Sequence, residues 1–216
     1  MNLDLNQLVK WRREFHRFPE IGWSEFWTTS RIADYLEDLD CFEIFLGKQI
    51  INPDFVRGRK QAVVDKGLAN AKAYGANEKW LEKMEGYTGC VALFDSGKPG
   101  KTIALRFDID CVNVTETRSP EHIPNKEGFA SINDGFMHAC GHDSHITIGL
   151  GVALWIAQNK DKLTGKVKIV FQPAEEGVRG AAAIAQSGII DDVDYVASSH
   201  ISFCANTGTV IANPRN

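Results

Sequence analysis

Residues 136–145 read Phe-Met-His-Ala-Cys-Gly-His-Asp-Ser-His and place a thiol, three imidazoles and a carboxylate within ten positions. Thiolate, imidazole and carboxylate are the ligand types that zinc, manganese and cobalt accept in proteins. The strongly apolar run 146–155 follows directly and favours a helix that ends near Asn159. The sequence therefore predicts a metal site at the start of a buried helix, with Cys140 and His142 opening it.

A second polar cluster lies some thirty residues further on, where Glu175 and Glu176 follow the apolar run 167–171. Two adjacent glutamates let one carboxylate hold a metal ion while its neighbour handles a proton. His200 ends a further apolar run that begins at residue 195. Together these residues predict a hydrolytic metal site, and their number favours a binuclear site in which two ions share the ligands.

Alternating strands and helices predict the fold class. The apolar spacing predicts helices over 3–18, over 24–39 with Ser24 as N-cap, and over 146–159 and 180–186; strands are predicted over 88–94, 102–107, 167–171 and 195–199. Residues 54–85 are polar and alanine-rich, which predicts one or two exposed helices outside the sheet, in an insertion at about 50–86. The pattern is that of a three-layer α/β domain with a mainly parallel sheet.

The polar residues of the predicted site follow the ends of three predicted strands. Asp108 and Asp110 follow the strand 102–107, the glutamate pair follows 167–171, and His200 follows 195–199. Ligands of open α/β sheets bind at the carboxyl ends of strands, so these residues are expected to converge. Of these two aspartates, we expect only one to face the site. A helix start beside Cys140 is expected to lower the pKa of its thiol.

The sequence pattern does not assign a single role to each of the remaining histidines. His138 and His145 are each either partners of a metal ligand or ordinary capping or surface residues, and the sequence leaves both interpretations open. His16 and His122 are expected to be structural or surface residues.

Composition narrows the class of protein. Of 216 residues, 44% are hydrophobic and 24% are charged, which is ordinary for one sizeable soluble domain. The formal net charge of −4 does not indicate a basic surface that would bind nucleic acid or an anionic membrane. The N-terminus lacks the features of a signal peptide, and the five cysteines are odd in number and irregularly spaced. We therefore expect a cytoplasmic protein without nucleic-acid or membrane partners.

The same residues carry a family resemblance that extends over essentially the whole chain. The sequence resembles the amidohydrolase branch of the aminoacylase/carboxypeptidase metallopeptidases at residues 11–16, 104–110, 137–145, 171–177 and 199–201. The resemblance implies a zinc-peptidase-like catalytic domain. It also implies a metal-dependent amidohydrolase that cleaves N-acyl or N-aroyl amino acids, with p-aminobenzoyl-glutamate as the favoured substrate.

The resemblance further implies roles for individual residues. Cys140 would bridge two divalent metal ions, manganese or zinc with cobalt as a third option. The other ligands would be His142, Glu176 and His200. Glu175 would be the general base that takes a proton from water and passes it to the leaving amine, and Asp110 would orient a metal ligand.

Members of this family have one further histidine ligand near the C-terminus and an inserted lid and dimerisation domain. Residues 1–216 are therefore expected to be the N-terminal portion of the catalytic domain, with the lid and the C-terminal part absent. A homodimer or hetero-oligomer is expected for the full-length form.

Two alternatives stay open: a folded but inactive metal-binding fragment, and an amidohydrolase or deacetylase for another N-acyl amino acid or dipeptide. A zinc-dependent nucleobase deaminase is disfavoured, since the chain has neither His-x-Glu nor Pro-Cys-x-x-Cys.

Overall fold

One mixed sheet organises the chain. A computed structural model describes residues 4–202 and 204–212. In that part of the chain the sheet has five strands: β1 (Glu43–Leu46), β2 (Cys90–Asp95), β3 (Thr102–Asp108), β4 (Lys166–Gln172) and β5 (Tyr195–Ser198). The α-helices described there are α1 (Leu5–Arg17), α2 (Phe26–Glu37), α3 (Gln61–Ala73), α4 (Glu78–Met84), α5 (Ile123–Lys126), α6 (His142–Asn159) and α7 (Ala181–Ala185).

The strands lie in the order β1-β2-β4-β3-β5. β3 pairs in parallel with both β4 and β5, whereas β2 pairs antiparallel with β4 and with β1. Four strands therefore run in one direction and β2 runs against them, which confirms the mainly parallel sheet. The edge strand β1 was not predicted from the sequence.

Successive side chains of the sheet point to opposite faces, and each face packs against its own hydrophobic cluster. On β4, Ile169 and Phe171 face the cluster formed with α1, α2 and α6, while Val170 faces the cluster that includes Ala183 and Ile184 of α7. This alternation is the two-residue period of a strand buried on both faces. Helices therefore cover both faces of the sheet, and the predicted three-layer α/β class is confirmed.

α6 packs closely on the sheet at a glycine. A Cβ added at Gly149 would lie 2.6 Å from Cε1 of Phe171, closer than carbon atoms normally approach. A larger residue would push the helix away from β4 and displace its first turn, which carries His142. The absence of a Cβ at Gly149 therefore allows α6 and β4, two elements of the predicted site, to pack at this short distance.

α2 begins differently from the expectation. Ser24 does not cap the helix; its hydroxyl donates to the backbone oxygen of Ile21 at 2.6 Å. The carboxylate of Glu20 instead accepts the backbone N–H groups of Trp27 (3.1 Å) and Thr28 (2.8 Å). A buried carboxyl group can replace a capping hydroxyl, because its oxygens accept N–H groups that have no partner within the first turn of the helix.

The predicted insertion is helical and lies outside the sheet, as expected, but its description as exposed is wrong for its inner face. Trp80 of α4 is 2% exposed, and Met84 is fully buried. Val64 and Ala71 of α3 are also buried in the main core cluster. The sequence pattern was misleading because the apolar residues are widely spaced among Lys, Asn and Ala, although they share one face of each helix.

Candidate metal centre

The residues predicted to form the site meet at the carboxyl ends of β3, β4 and β5. Sγ of Cys140 lies 3.5 Å from Nε2 of His200. Among the described residues, three clusters of metal-ligand type have donor atoms within 4.8 Å of one another, and each contains His142. They are Cys140–His142–His200, His142–Glu175–Glu176 and Asp108–His142–His145. His142 is thus the residue around which the site is built.

His142 is fully buried and its tautomer is fixed by the backbone. Its Nδ1 lies 2.7 Å from the backbone oxygen of Asp110, which can only accept, so Nδ1 carries the proton. Nε2 is buried and has no hydrogen-bond partner among the described residues. It faces carboxylate oxygens of Glu175 at 3.8 Å and Glu176 at 3.9 Å. A buried lone pair that points at two carboxylates is suited to a cation between them.

His200 shows the same arrangement at the exposed side of the site. Its Nδ1 lies 2.6 Å from the backbone oxygen of Ile201, so that nitrogen donates and Nε2 presents its lone pair towards Cys140. An open cleft of about 610 Å³, lined by residues 139–141 and 200–202, lies beside both side chains. A cleft of this size accommodates a small-molecule substrate.

Asp110 organises the loop that carries the two glutamates. It is fully buried, and its two carboxylate oxygens accept the backbone N–H groups of Glu175 and Glu176, each at 3.0 Å. Its Oδ1 also lies 3.5 Å from Nδ1 of His142. Asp110 thus contacts both a histidine and the glutamate loop, as a residue that orients metal ligands would.

The thiol of Cys140 does not have the lowered pKa that its position suggested. Burial, a hydrogen bond to Glu176 and the charges of Glu176, Glu175 and Asp108 raise the pKa of Cys140 to about 11. The helix begins only at His142, two residues later, and the carboxylates outweigh its dipole. A thiol among carboxylates becomes a good ligand when a cation offsets their charge, so the donor set fits a divalent metal.

Glu175 sits in an environment that favours its protonated form. Burial and the charge of Asp108 raise its pKa above the usual value, although His142 opposes this shift. A carboxylate with a raised pKa is a better proton acceptor near neutral pH. The geometry therefore allows Glu175 to exchange a proton at the site while Glu176 and the histidines provide ligands.

His145 and Asp108, which the sequence left open, both belong to this site. His145 is buried, and its Nε2 accepts the backbone N–H of Ile201 at 3.1 Å, so its Nδ1–H faces Asp108 Oδ2 at 3.5 Å. Asp108 also forms an ion pair with Arg106. Both aspartates of the 108–110 segment therefore face the site. The expectation that only one would do so was wrong, because residues two positions apart in an extended chain lie on the same side.

His138 is buried but does not join the ligand clusters. Burial lowers its pKa to about 4, and neither ring nitrogen has a hydrogen-bond partner in the described part of the chain.

His16, expected to be structural, links α1 to the first turn of α6. Its Nδ1 lies 2.7 Å from Asp143 Oδ2 and its Nε2 lies 3.1 Å from Glu116 Oε1. Arg12 also contacts Asp143 at 3.1 Å. The contribution of Asp143 was missed from the sequence, although it stands next to His142.

The fold and the residues of the candidate metal centre agree with the comparison to known protein families. Residues 104–214 match Peptidase family M20/M25/M40, and the chain belongs to this family. The family that the sequence motifs indicated, a family of hydrolases, is confirmed.

Two curated relatives are each named as one subunit of p-aminobenzoyl-glutamate hydrolase or its homolog. The chain is 99% identical to the homolog of this subunit from Haemophilus influenzae, over all of this chain and 51% of that protein. It is 41% identical to the corresponding subunit from Escherichia coli, over 97% of this chain and 48% of that protein. The chain therefore spans about half the length of the curated relatives it matches.

Solved structures agree with the fold. An aminobenzoyl-glutamate utilization protein from Klebsiella pneumoniae matches with a TM-score of 0.75 and 35% identity, over 93% of this chain and 44% of that one. A dinuclear metal-binding peptidase of the M20 family from Bacillus subtilis matches with a TM-score of 0.67 and 29% identity, over 91% of this chain and 43% of that one.

Within the residues that the structure describes, no helix combines the length and the apolar character needed to cross a membrane.

Proposed function

We propose that the complete protein is a metal-dependent amidohydrolase that cleaves the amide bond of an N-acyl or N-aroyl amino acid. p-Aminobenzoyl-glutamate is the favoured substrate, because the relatives in Haemophilus influenzae and Escherichia coli are named for its hydrolysis. The observation that carries the proposal is the buried Nε2 of His142, which lacks a partner among the described residues and faces Glu175 and Glu176.

The ligands in this proposal are Cys140, His142, Glu176 and His200. Two divalent ions, manganese or zinc with cobalt as a third candidate, would polarise the scissile carbonyl and lower the pKa of the attacking water. The Bacillus subtilis structure supports a pair of ions, since it is described as dinuclear. The two histidines are prepared for this role, because backbone oxygens fix the proton on Nδ1 of each ring and leave Nε2 free.

Glu175 is the proposed general base. Its carboxylate accepts a proton from the attacking water as the new C–O bond forms, and it returns that proton to the nitrogen as the C–N bond breaks. The products are a carboxylic acid and an amine, so atoms and charge balance. Its raised pKa helps it to hold the proton between the two steps. Asp110 keeps Glu175 in place through the backbone N–H of that residue.

A catalytic assay with controlled metal content tests the proposal. The complete protein is stripped of metal, supplied with manganese, zinc or cobalt, and assayed with p-aminobenzoyl-glutamate and with acetyl and benzoyl derivatives of other amino acids. We expect hydrolysis that depends on added metal and is fastest with p-aminobenzoyl-glutamate. Metal-independent hydrolysis would contradict the mechanism, and a preference for another derivative would change the substrate.

The second candidate is a folded metal-binding fragment without activity. It is favoured by one observation: His200 and all four residues of β5 are exposed, so one side of the site is open to solvent. Turnover by the 216-residue chain and by the complete protein, measured with the same added metal, separates the candidates. Metal binding without turnover by the shorter chain supports the inactive-fragment interpretation for that chain.

We also propose that the complete protein assembles with a second, different polypeptide, since both curated relatives are named as one subunit of a hydrolase. A homodimer is the other assembly that size measurement in solution would reveal.

A cytoplasmic location remains a prediction from cysteine usage; the five cysteines are all free thiols.

A further inference from the structure

We propose that Glu25 is a positioning residue which, together with Asp110, clamps the backbone of residues 174–176 and so sets the directions of Glu175 and Glu176. The inference rests on the proposed function for the roles of those two glutamates. Glu25 lies 149 positions before Ala174 in the chain and contacts the backbone of the loop rather than the ligand cluster itself.

Two buried carboxylates hold three consecutive backbone N–H groups. Oε1 of Glu25 accepts the N–H of Ala174 at 2.7 Å, directly before the two N–H groups that Asp110 accepts. Oε2 of Glu25 accepts the hydroxyl of Thr88 at 2.6 Å, so both oxygens of this fully buried carboxylate are used. Three adjacent hydrogen bonds fix the backbone more tightly than a single one does.

The clamped segment has a backbone conformation that needs this support. Ala174 has φ +49°, in the left-handed region that is unfavourable for a residue with a Cβ. Ala174 is also fully buried, and its backbone oxygen accepts the N–H groups of Arg179 (3.2 Å) and Gly180 (2.8 Å). Strained residues of this kind persist where surrounding contacts over-determine them, and they are concentrated at functional sites.

Burial of the carboxyl group of Glu25 costs free energy, and its hydrogen bonds offset that cost. Burial and the nearby charge of Asp110 raise the pKa of Glu25 to about 8. A hydrophobic residue would avoid that cost but would leave the N–H of Ala174 without its acceptor.

Glu20 provides a natural comparison within the same segment. It is buried, burial raises its pKa to about 8, and it also accepts two backbone N–H groups. Its contacts go to Trp27 and Thr28 in the first turn of α2, however, and not to the loop of the metal site. Loss of Glu20 should therefore weaken the helix, whereas loss of Glu25 should disturb the site.

The test uses the complete protein and the variants Glu25→Ala, Glu25→Gln and Glu20→Ala. Manganese affinity is measured by calorimetry, kcat and KM by hydrolysis, and folding by thermal unfolding. We expect Glu25→Ala to lower manganese affinity by about 10–100-fold, the range typical for residues that orient metal ligands, and to lower kcat more than it raises KM. Glu25→Gln should stay within about threefold of the wild type, because its amide oxygen still accepts the N–H of Ala174. Glu20→Ala should lower the unfolding temperature and leave the affinity unchanged.

Wild-type affinity and kcat in Glu25→Ala would overturn the inference, and so would an equal loss of affinity in Glu20→Ala. If Glu25→Ala does not fold, Glu25→Gln decides: a fall in affinity of more than about tenfold contradicts a hydrogen-bonding role. Affinity does not depend on the substrate, so a wild type that binds manganese but hydrolyses no amide refutes only the proposed function. A wild type that binds no metal refutes both.

Discussion

Nδ1 of His142 lies 2.7 Å from the backbone oxygen of Asp110, and this contact leaves Nε2 of the same ring buried without a partner among the described residues. From it we predict that His142→Ala lowers metal affinity by more than about 100-fold, beyond the range seen when only a partner of a ligand is removed. Titration calorimetry with manganese on the complete protein measures this. The control is His122→Ala, whose half-buried ring pairs with Glu116 and belongs to none of the ligand clusters found among the described residues. Equal losses in both variants would show that His142 acts through general stability.

The two neighbouring glutamates should respond differently to the same change. Glu175→Gln should keep the metal content and lower the rate of amide hydrolysis by at least about 10²-fold, because an amide cannot accept the proton of water. Glu176→Gln should instead weaken metal binding, since a charged oxygen ligand is lost. Metal analysis and initial rates on both variants measure these effects. Loss of metal in Glu175→Gln and its retention in Glu176→Gln would reverse the assignment.

Trp80 tests whether the helical insertion is part of the core. Its ring is buried, and its Nε1–H donates to Asp34 on α2 at 2.8 Å. Trp80→Ala should therefore reduce the free energy of unfolding by about 3–5 kcal/mol. Lys72→Ala, at an exposed position on α3, should change it by less than about 0.5 kcal/mol. Urea unfolding of both variants measures the difference, and equal small effects would restore the description of a peripheral insertion.

The contacts of His16 should stabilise the fold in a limited pH range. Burial favours the neutral ring, but hydrogen bonds to Asp143 and Glu116 raise its pKa above the ordinary value of 6.5. A raised pKa gives stability that is present below pH 6.5 and is lost as the pH rises through the folded value. The pKa of Asp143 is lowered from 3.8, despite burial, by His16 and other cations, so its contribution is lost as the pH falls through its folded value.

His16→Gln should therefore cost about 1.5–3 kcal/mol in the free energy of unfolding near pH 5.5, and less near pH 8. Urea unfolding at both pH values tests this. A cost that is larger at the higher pH would mean that the neutral ring provides the stabilising contacts.

The site could be predicted from the sequence because its residues follow the ends of predicted strands. Parallel strands bring their carboxyl ends to one edge, so Asp110, Glu175 and His200 could be placed together before their distances were known. The motif at Cys140 and His142 indicated the chemistry. The alternation of apolar runs likewise indicated the three-layer class.

The contacts that hold the site together could not be predicted in the same way. Glu25 and His16 act across 149 and 127 positions of sequence, on Ala174 and Asp143 respectively. No local period marks such pairs, since the tertiary packing alone brings them together. The pKa of Cys140 was misjudged for a related reason, because carboxylates from other segments outweigh the nearby helix.

Cys140, His142, Glu176 and His200 are the proposed ligands of a pair of divalent ions. Anomalous diffraction from a crystal of the complete protein grown with manganese decides whether they hold such a pair. We predict two peaks about 3.5–4 Å apart, with Cys140 Sγ between them and the Nε2 atoms of both histidines bound. An absence of peaks at these residues, or peaks bound by other residues, would contradict the claim.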